Sequence, residues 1–487
     1  MTSKIVFRGA NLIVILSKQK EEIMRALTTK VYLIVCNFLF GFNVLFAQVT
    51  PGTNSIGLDV STFAENPSFN YDSCFAIGQN LGMGSVGLFR NWTGIETSPN
   101  TFDLTIFDIA NYYYPLYNMP VDLTITPIHT NNLEVPADLT TTAFNDPILI
   151  NRFKTLLDSV KVHLPNLTLS SLVIGSEQDV YLGGNPTLWS HYTTFYDSVA
   201  SHARSLWPGV KIATELTFNG ITTYNTYAQV LNTNSDYIGV SYYPINTDFT
   251  VQPVPVLATD FANLVGLYPS KPLCFYQYGY PSSPVCNSSE NLQAQFITET
   301  FNVWDTYASN IRYIDFTWLH DLDSAAVNFY GSYYGINDPV FLAFLQSLGL
   351  RTWNGSGAHK AALIELECQT RQRGFNNLST NCTTGNLALN GKQQPSILIY
   401  PNPAQERLTI HIAHELNSAR VELYNAMGQL ERAVSFLDAN HLMIETSDLR
   451  EGAYFEVDIS SWPMGMYFYS VTDKDYNVLH SGKLIKN

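Results

Sequence analysis

The chain is short of positive charge. Of its 487 residues 26 are Lys or Arg against 41 Asp or Glu, a net charge of -15. That balance repels polyphosphate, which argues against nucleic acid and anionic membrane surfaces as partners and favours a neutral one. Cysteine is scarce as well: there are six, with no CxxC pair and no Cys/His cluster of zinc spacing. Phosphate-binding loops, dinucleotide fingerprints and the spacing of a Ser/His/Asp triad are also missing, so transferase and oxidoreductase chemistry has no support and no cofactor is expected.

Long apolar runs are absent with one exception. Val31 to Ala47 reads VYLIVCNFLFGFNVLFA, preceded by Arg25 and Lys30 and leaving through a small residue before Gln48. About 17 apolar residues are short for a membrane span, whereas a basic start, an apolar middle and a small-residue exit are the parts of a secretory signal. Residues 1–47 are therefore expected to be a removable signal region, with Met24 where a natural start belongs and no membrane span afterwards. Cys36 follows Val35 rather than Gly, Ala or Ser, which does not fit a lipoprotein. Losing it leaves five cysteines, so one thiol at least is free. Cys368 with Cys382, and Cys274 with Cys286, are near enough in sequence to pair in an oxidising compartment.

Aromatic residues make up 13% of the chain, nearly as much as the charged residues at 14%, a balance common in extracellular proteins that handle sugars. Length alone leads one to expect two or three domains. From Ile56 to Leu350, short β-type runs alternate with longer segments of helical period. The runs are SIGLDVS around Gly57, SVGLFR to Arg90, VDLTITPI to Ile128, LVIGSE to Glu177, VKIATEL to Leu216, YIGVSYYP to Pro244, KPLCFYQYGYP to Pro281, and IRYIDFTWLHD to Asp321. Eight such units predict an α/β domain, a (β/α)8 TIM barrel over 48–370 with its site at the C-terminal strand ends. A polar stretch without apolar period, 371–395, reads as a linker. Short alternating strands over 396–487 predict a small all-β immunoglobulin-like sandwich.

That last segment resembles the type A sorting domain of the type IX secretion system of Bacteroidota. The matching pieces are Tyr400-Pro401-Asn402-Pro403, Val421-Glu422-Leu423-Tyr424-Asn425 with Gly428-Gln429, Asp458-Ile459-Ser460, Gly465-Met466-Tyr467 and Lys483-Leu484-Ile485-Lys486. The resemblance implies handling by that export machinery and a secreted or cell-surface destination reached through the periplasm.

The barrel resembles clan A of the glycoside hydrolases, which includes endo-glucanases and endo-galactanases. Retaining members use two glutamates about 5 Å apart at the ends of strands four and seven. Strand four reads Ile174-Gly175-Ser176-Glu177-Gln178-Asp179, similar to the clan's Gly-Asn-Glu motif, which puts Glu177 at the general acid/base position and Ser176 where an Asn normally contacts the sugar 2-hydroxyl. Strand seven reads Tyr276-Gln277-Tyr278-Gly279-Tyr280-Pro281, similar to Glu-x-Gly-Tyr-Pro, but the nucleophile position is Gln277. An amide carries no charge with which to form and release a glycosyl ester.

Other parts of a sugar cleft follow from the same resemblance. Arg90 would orient a nucleophile, Trp92 and Trp318 would stack on sugar rings, Tyr242 or Tyr243 would stand near the nucleophile, and His129 and Asp321 would contact hydroxyls. Glu96 reads as a loop or helix-start residue, and Glu215 and Asp179 are the candidates for a replacement carboxylate. Three functions follow: a pseudoenzyme that binds a β-linked glycan with weak or absent hydrolysis; an active hydrolase using a substrate acetamido group or another carboxylate; and a surface adhesion or scaffold protein with a vestigial cleft.

Overall fold

The structure, a computed structural model, describes residues 48–60, 70–353, 357–379, 382, 396–400, 404–413, 418–425, 430–437, 453–472 and 478–487. The expected signal region lies outside these residues. No helix among them is long and apolar enough to cross a membrane. The chain divides into two compact units between Cys382 and Thr383.

The first unit is built on eight parallel strands: β1 (Ser55–Leu58), β2 (Val86–Asn91), β3 (Val121–His129), β4 (Leu169–Ser176), β5 (Lys211–Thr217), β6 (Ile238–Tyr242), β7 (Leu273–Tyr278) and β8 (Ile311–Phe316). Each pairs with its neighbours in the order β1-β8-β7-β6-β5-β4-β3-β2. The ring closes where Gly84, just before β2, donates its N–H to the Ile56 carbonyl of β1 at 3.0 Å. This is the expected TIM barrel. Its strands read as continuous apolar runs because both faces are covered: β3 is buried at every position but the last.

Helices follow the strands: α1 (Tyr71–Leu81), α2 (Thr105–Tyr113), α3 (Pro147–His163), α4 (Pro186–Leu206), α5 (Asn225–Leu231), α6 (Val256–Leu267) and α7 (Glu290–Thr306). After β8 come α8 (Ser324–Tyr334), α9 (Pro339–Gln346) and α10 (Ala361–Gln372). The starts are set by side-chain caps, which satisfy amide groups the first turn leaves free. Asn70, Asp146, Asn185, Ser289, Asp323 and Asp338 all accept from backbone N–H groups in the turn that follows. Pro at the first helical position reinforces α3, α4 and α9.

Helix α10 continues to Gln372. Beyond it, Arg373 pairs with Asp305 at 2.6 Å, and Arg371 donates to the Leu378 carbonyl at 2.9 Å. Cys368 and Cys382 form a disulfide. The opening residues of the expected linker are thus fastened to the barrel unit. The other expected pair does not form: Cys274 near the start of β7 and Cys286 in a turn beyond that strand's far end are both buried thiols outside any disulfide.

The second unit contains two antiparallel sheets. One joins β9 (Ser396–Tyr400), β10 (Arg407–Ala413) and β13 (Ala453–Asp458); the other joins β12 (Leu430–Leu437), β11 (Ser418–Asn425), β14 (Gly465–Thr472) and β15 (Val478–Lys486). Leu408, Ile410, Val421, Leu423, Val457, Val471 and Leu484 form its buried core.

Candidate functional site

The C-terminal rim of the barrel opens into a cleft of about 980 Å3. Strand register sets its floor. Ser176 on β4 lies level with His129 on β3 and Glu215 on β5, and Ser241 on β6 lies level with Gln277 on β7. Register shifts occur at this level in the β3/β4, β4/β5 and β6/β7 pairs, as expected where bulges re-aim side chains beside a site. Gly175 has φ 89°, and a Cβ there would meet the Tyr192 hydroxyl at 2.2 Å, so the bend before Glu177 requires glycine.

Glu177 itself sits at φ 52°, a region a side-chain-bearing residue rarely occupies. Its N–H donates to the Glu215 carbonyl at 2.9 Å. Its carboxylate accepts from the Thr130 hydroxyl at 2.7 Å and the Ser241 hydroxyl at 2.5 Å. Both donors come from strand ends not singled out in the sequence, where only their register would have revealed them.

Gln277 lies in the same cleft, held by three groups. Its Nε2 donates to Ser176 Oγ at 3.2 Å and to Glu215 Oε2 at 3.3 Å, and its Oε1 accepts from the Tyr243 hydroxyl at 3.3 Å. Ser176 Oγ also donates to Glu215 Oε2 at 2.8 Å. Glu215 is 1% exposed, and its Oε1 has no hydrogen-bond partner among the described residues. Burial, reinforced by the Glu177 charge, pushes its carboxyl up to about 8. Glu215 is therefore protonated at neutral pH, and Gln277 belongs to an uncharged cluster of amide, carboxylic acid and hydroxyls in the cleft that Glu177 also lines.

The remaining expected site residues separate into two sets. Arg90, His129, Tyr243 and Trp318 line the cleft. Arg90 donates to the Phe89 carbonyl at 3.1 Å and forms no ion pair among the described residues. Trp318, reached through a cis Thr317–Trp318 peptide, stacks on Tyr330 with ring centroids 6.1 Å apart. His129 is driven down to about 4 by burial, so it is neutral. Tyr242 also borders the cleft but is 1% exposed, with its hydroxyl donated to Asp260 at 2.7 Å.

Trp92 and Asp321 are corrections. Trp92 begins a short helix that folds its ring back into the core: it is 0% exposed, packs edge-on against Phe153 at 4.9 Å, and donates to Glu96 Oε2 at 2.8 Å. Glu96 also takes Arg152 Nε at 2.5 Å. Asp321 forms an ion pair with the buried Lys360 at 2.6 Å and does not line the cleft. Burial holds Asp321 at about 6 despite the lysine. Asp179 is likewise engaged, accepting from the Thr217 N–H at 2.8 Å and hydroxyl at 2.7 Å, and burial raises it to about 7. Among the described residues, no group of three or more His, Cys, Asp or Glu is arranged to hold a metal ion.

Barrel and cleft together define a glycoside-hydrolase-like fold, followed by a secretion module. Residues 398–457 match the family described as the secretion system C-terminal sorting domain, which marks the chain for secretion or the cell surface. Among solved structures, the exo-beta-1,4-mannosidase Op5Man5 from Opitutaceae bacterium strain TAV5 is similar at 13% identity and TM-score 0.51, over 67% of this chain and 61% of that one. GH5_18 from Streptomyces cattleya, in a complex with Manb1-4GlcNAc, gives 14% identity and TM-score 0.48 over 67% and 82%. Bacteroides uniformis beta-glucuronidase 2 gives 11% and 0.46 over 89% and 46%. The chain thus spans about half to three fifths of the mannosidase and glucuronidase. These likenesses are of fold. Among curated proteins none matches.

Proposed function

We propose that this is an exported protein whose barrel, within residues 48–370, binds a β-linked glycan at its mouth and hydrolyses it weakly or not at all. One observation carries the reading: Gln277 stands where the resemblance requires a charged nucleophile, and its amide is hydrogen-bonded into a neutral cluster with Ser176, Glu215 and Tyr243. Glu177, with its carboxylate oriented by Thr130 and Ser241, is the retained acid/base group and a hydrogen-bonding partner for sugar hydroxyls. Trp318 supplies a stacking face, and Arg90, His129 and Tyr243 complete the polar and aromatic lining.

Hydrolysis through Glu215 is the weaker reading. A nucleophile must be charged and reach the anomeric carbon, whereas Glu215 is protonated near neutrality and almost wholly buried. A bare scaffold does not account for a cleft that keeps an oriented acid beside a stacking tryptophan.

The test is a glycan array on the secreted protein, run beside a reducing-sugar release assay on every glycan that binds. Retention of a β-linked glycan without release of reducing ends is the expected outcome. An array on which no glycan is held would refute the proposal.

A further inference from the structure

Arg90 is the one permanent cation among the described residues that line the cleft. It stands near the end of β2, level with Ile125 on β3, and its side chain is half-buried. A guanidinium has five N–H donors and no acceptor. One of them reaches the Phe89 carbonyl at 3.1 Å, and no other group among the described residues takes the rest.

The resemblance to retaining glycosidases would give this arginine a counter-charge, the nucleophile carboxylate. Here that position is the amide of Gln277, which bonds to Ser176, Glu215 and Tyr243 instead. No carboxylate among the described residues pairs with Arg90 in its place. Glu177 is held by Thr130 and Ser241, and Asp72 by the Tyr113 hydroxyl. Burial keeps the protons on Glu215 and Asp315.

A second donor stands close by. Tyr71 of α1 and Tyr114, in the turn after α2, both line the cleft with their hydroxyl oxygens 2.6 Å apart. Two hydroxyls bonded to one another spend one hydrogen between them and keep the other to donate outward. Burial pushes the Tyr114 hydroxyl up while the Arg90 charge draws it back, so the two groups are near enough to interact. This corner of the cleft therefore presents donors and a positive charge without a counter-charge. A half-buried guanidinium has given up part of its hydration, and its strongest partner is an anion that takes two N–H groups at once.

We infer that the glycan carries an anionic substituent, a uronate carboxylate or a sulfate ester, and that Arg90 with the Tyr71–Tyr114 pair binds it. This rests on the reading of the cleft as a sugar site and names the class of sugar it takes. The net charge of -15 acts weakly here, because exposed charges are largely screened beyond about 8 Å in physiological salt, whereas the guanidinium meets its partner in contact. That net charge does oppose a polyanion, which favours anionic groups spaced along an otherwise neutral chain.

The full-length protein is titrated by calorimetry, at constant ionic strength, with cellotetraose, β-1,4-mannotetraose and β-1,4-galactotetraose. Each is used neutral, with one C6 oxidised to a carboxylate, and with one 6-hydroxyl sulfated. For the backbone that binds, one acidic form is expected to bind at least about tenfold more tightly than the neutral form, and which one does so tells uronate from sulfate. Arg90→Gln and Arg90→Met are expected to shrink that ratio of affinities to within about twofold. Arg90→Lys, which keeps the charge and loses the fork, is expected to leave an intermediate ratio. A merely structural role for Arg90 would weaken both forms alike and leave the ratio standing. A neutral form that binds as tightly as both acidic forms overturns the inference while the sugar site stands. A preference that survives in the folded Arg90→Gln and Arg90→Met proteins overturns it too, since another group then holds the anion. Failure of every backbone in every form counts against the sugar site itself and takes the inference with it.

Discussion

Replacing Gln277 by Glu exchanges an amide for a carboxyl of nearly the same shape and removes the two N–H donors that now reach Ser176 and Glu215. The loss is cushioned. Ser176 can turn its hydroxyl, Glu215 carries a proton at neutral pH, and Tyr243 already donates at 3.3 Å. Three donors then converge on the new oxygens, which favours the ionised form in spite of burial, and two carboxyls 3.3 Å apart hold one shared proton rather than two charges. Stability is expected to fall by about 1–3 kcal/mol, the cost of imperfect pairing at a buried polar site. In return a charged group faces the cleft beside Glu177. Reducing-sugar release from the bound β-linked oligosaccharide is expected to rise at least about 100-fold, a barrier change of roughly 2.7 kcal/mol. Adding Ser176→Asn is expected to raise it further, and Glu177→Gln in the same background to abolish it. If the unmodified protein already turns over at an ordinary enzymatic rate and Gln277→Glu is slower, the reasoning is refuted and Glu215 becomes the first nucleophile to examine.

Three further outcomes follow from the same structure. Glu215 and Asp179 bind protons in the folded state that the unfolded chain releases, so their contribution to stability is fully present below about pH 4 and is lost as pH rises toward 8; Glu215→Gln should reduce that loss in thermal melts across the range, and an unchanged pH dependence contradicts the assignment. Lys360→Ala leaves Asp321 buried without its partner and should cost about 3–5 kcal/mol in denaturant unfolding, while glycan binding by the folded fraction stays intact, since neither residue lines the cleft. Deleting the chain from Tyr400 onward removes the sorting domain and should leave the protein in the periplasm, so undiminished surface or medium levels on fractionation would refute the address.

The barrel was legible because its strands are apolar runs that repeat with helical segments between them, and a parallel sheet covered on both faces leaves that signature. Glu177 was legible for a related reason, as a carboxylate ending the apolar run of β4. Trp92 was misread because a tryptophan just past a strand end looks the same whether the next turn aims it at the cleft or, as here, winds it back onto Phe153. Asp321 was misread because its partner, Lys360, is far along the chain and carries no motif. Nor does any local pattern announce that Glu215, Ser176 and Gln277 share one hydrogen-bonded cluster, since that depends on the register of four strands.

The most direct test of the central claim is a calorimetric titration of the unmodified protein with the oligosaccharide that binds best, followed by chromatographic recovery of the sugar from the same cell. The account predicts saturable binding and recovery of the intact oligosaccharide after prolonged incubation. Recovery of shortened sugars at an ordinary enzymatic rate, or no heat of binding at all, would contradict it.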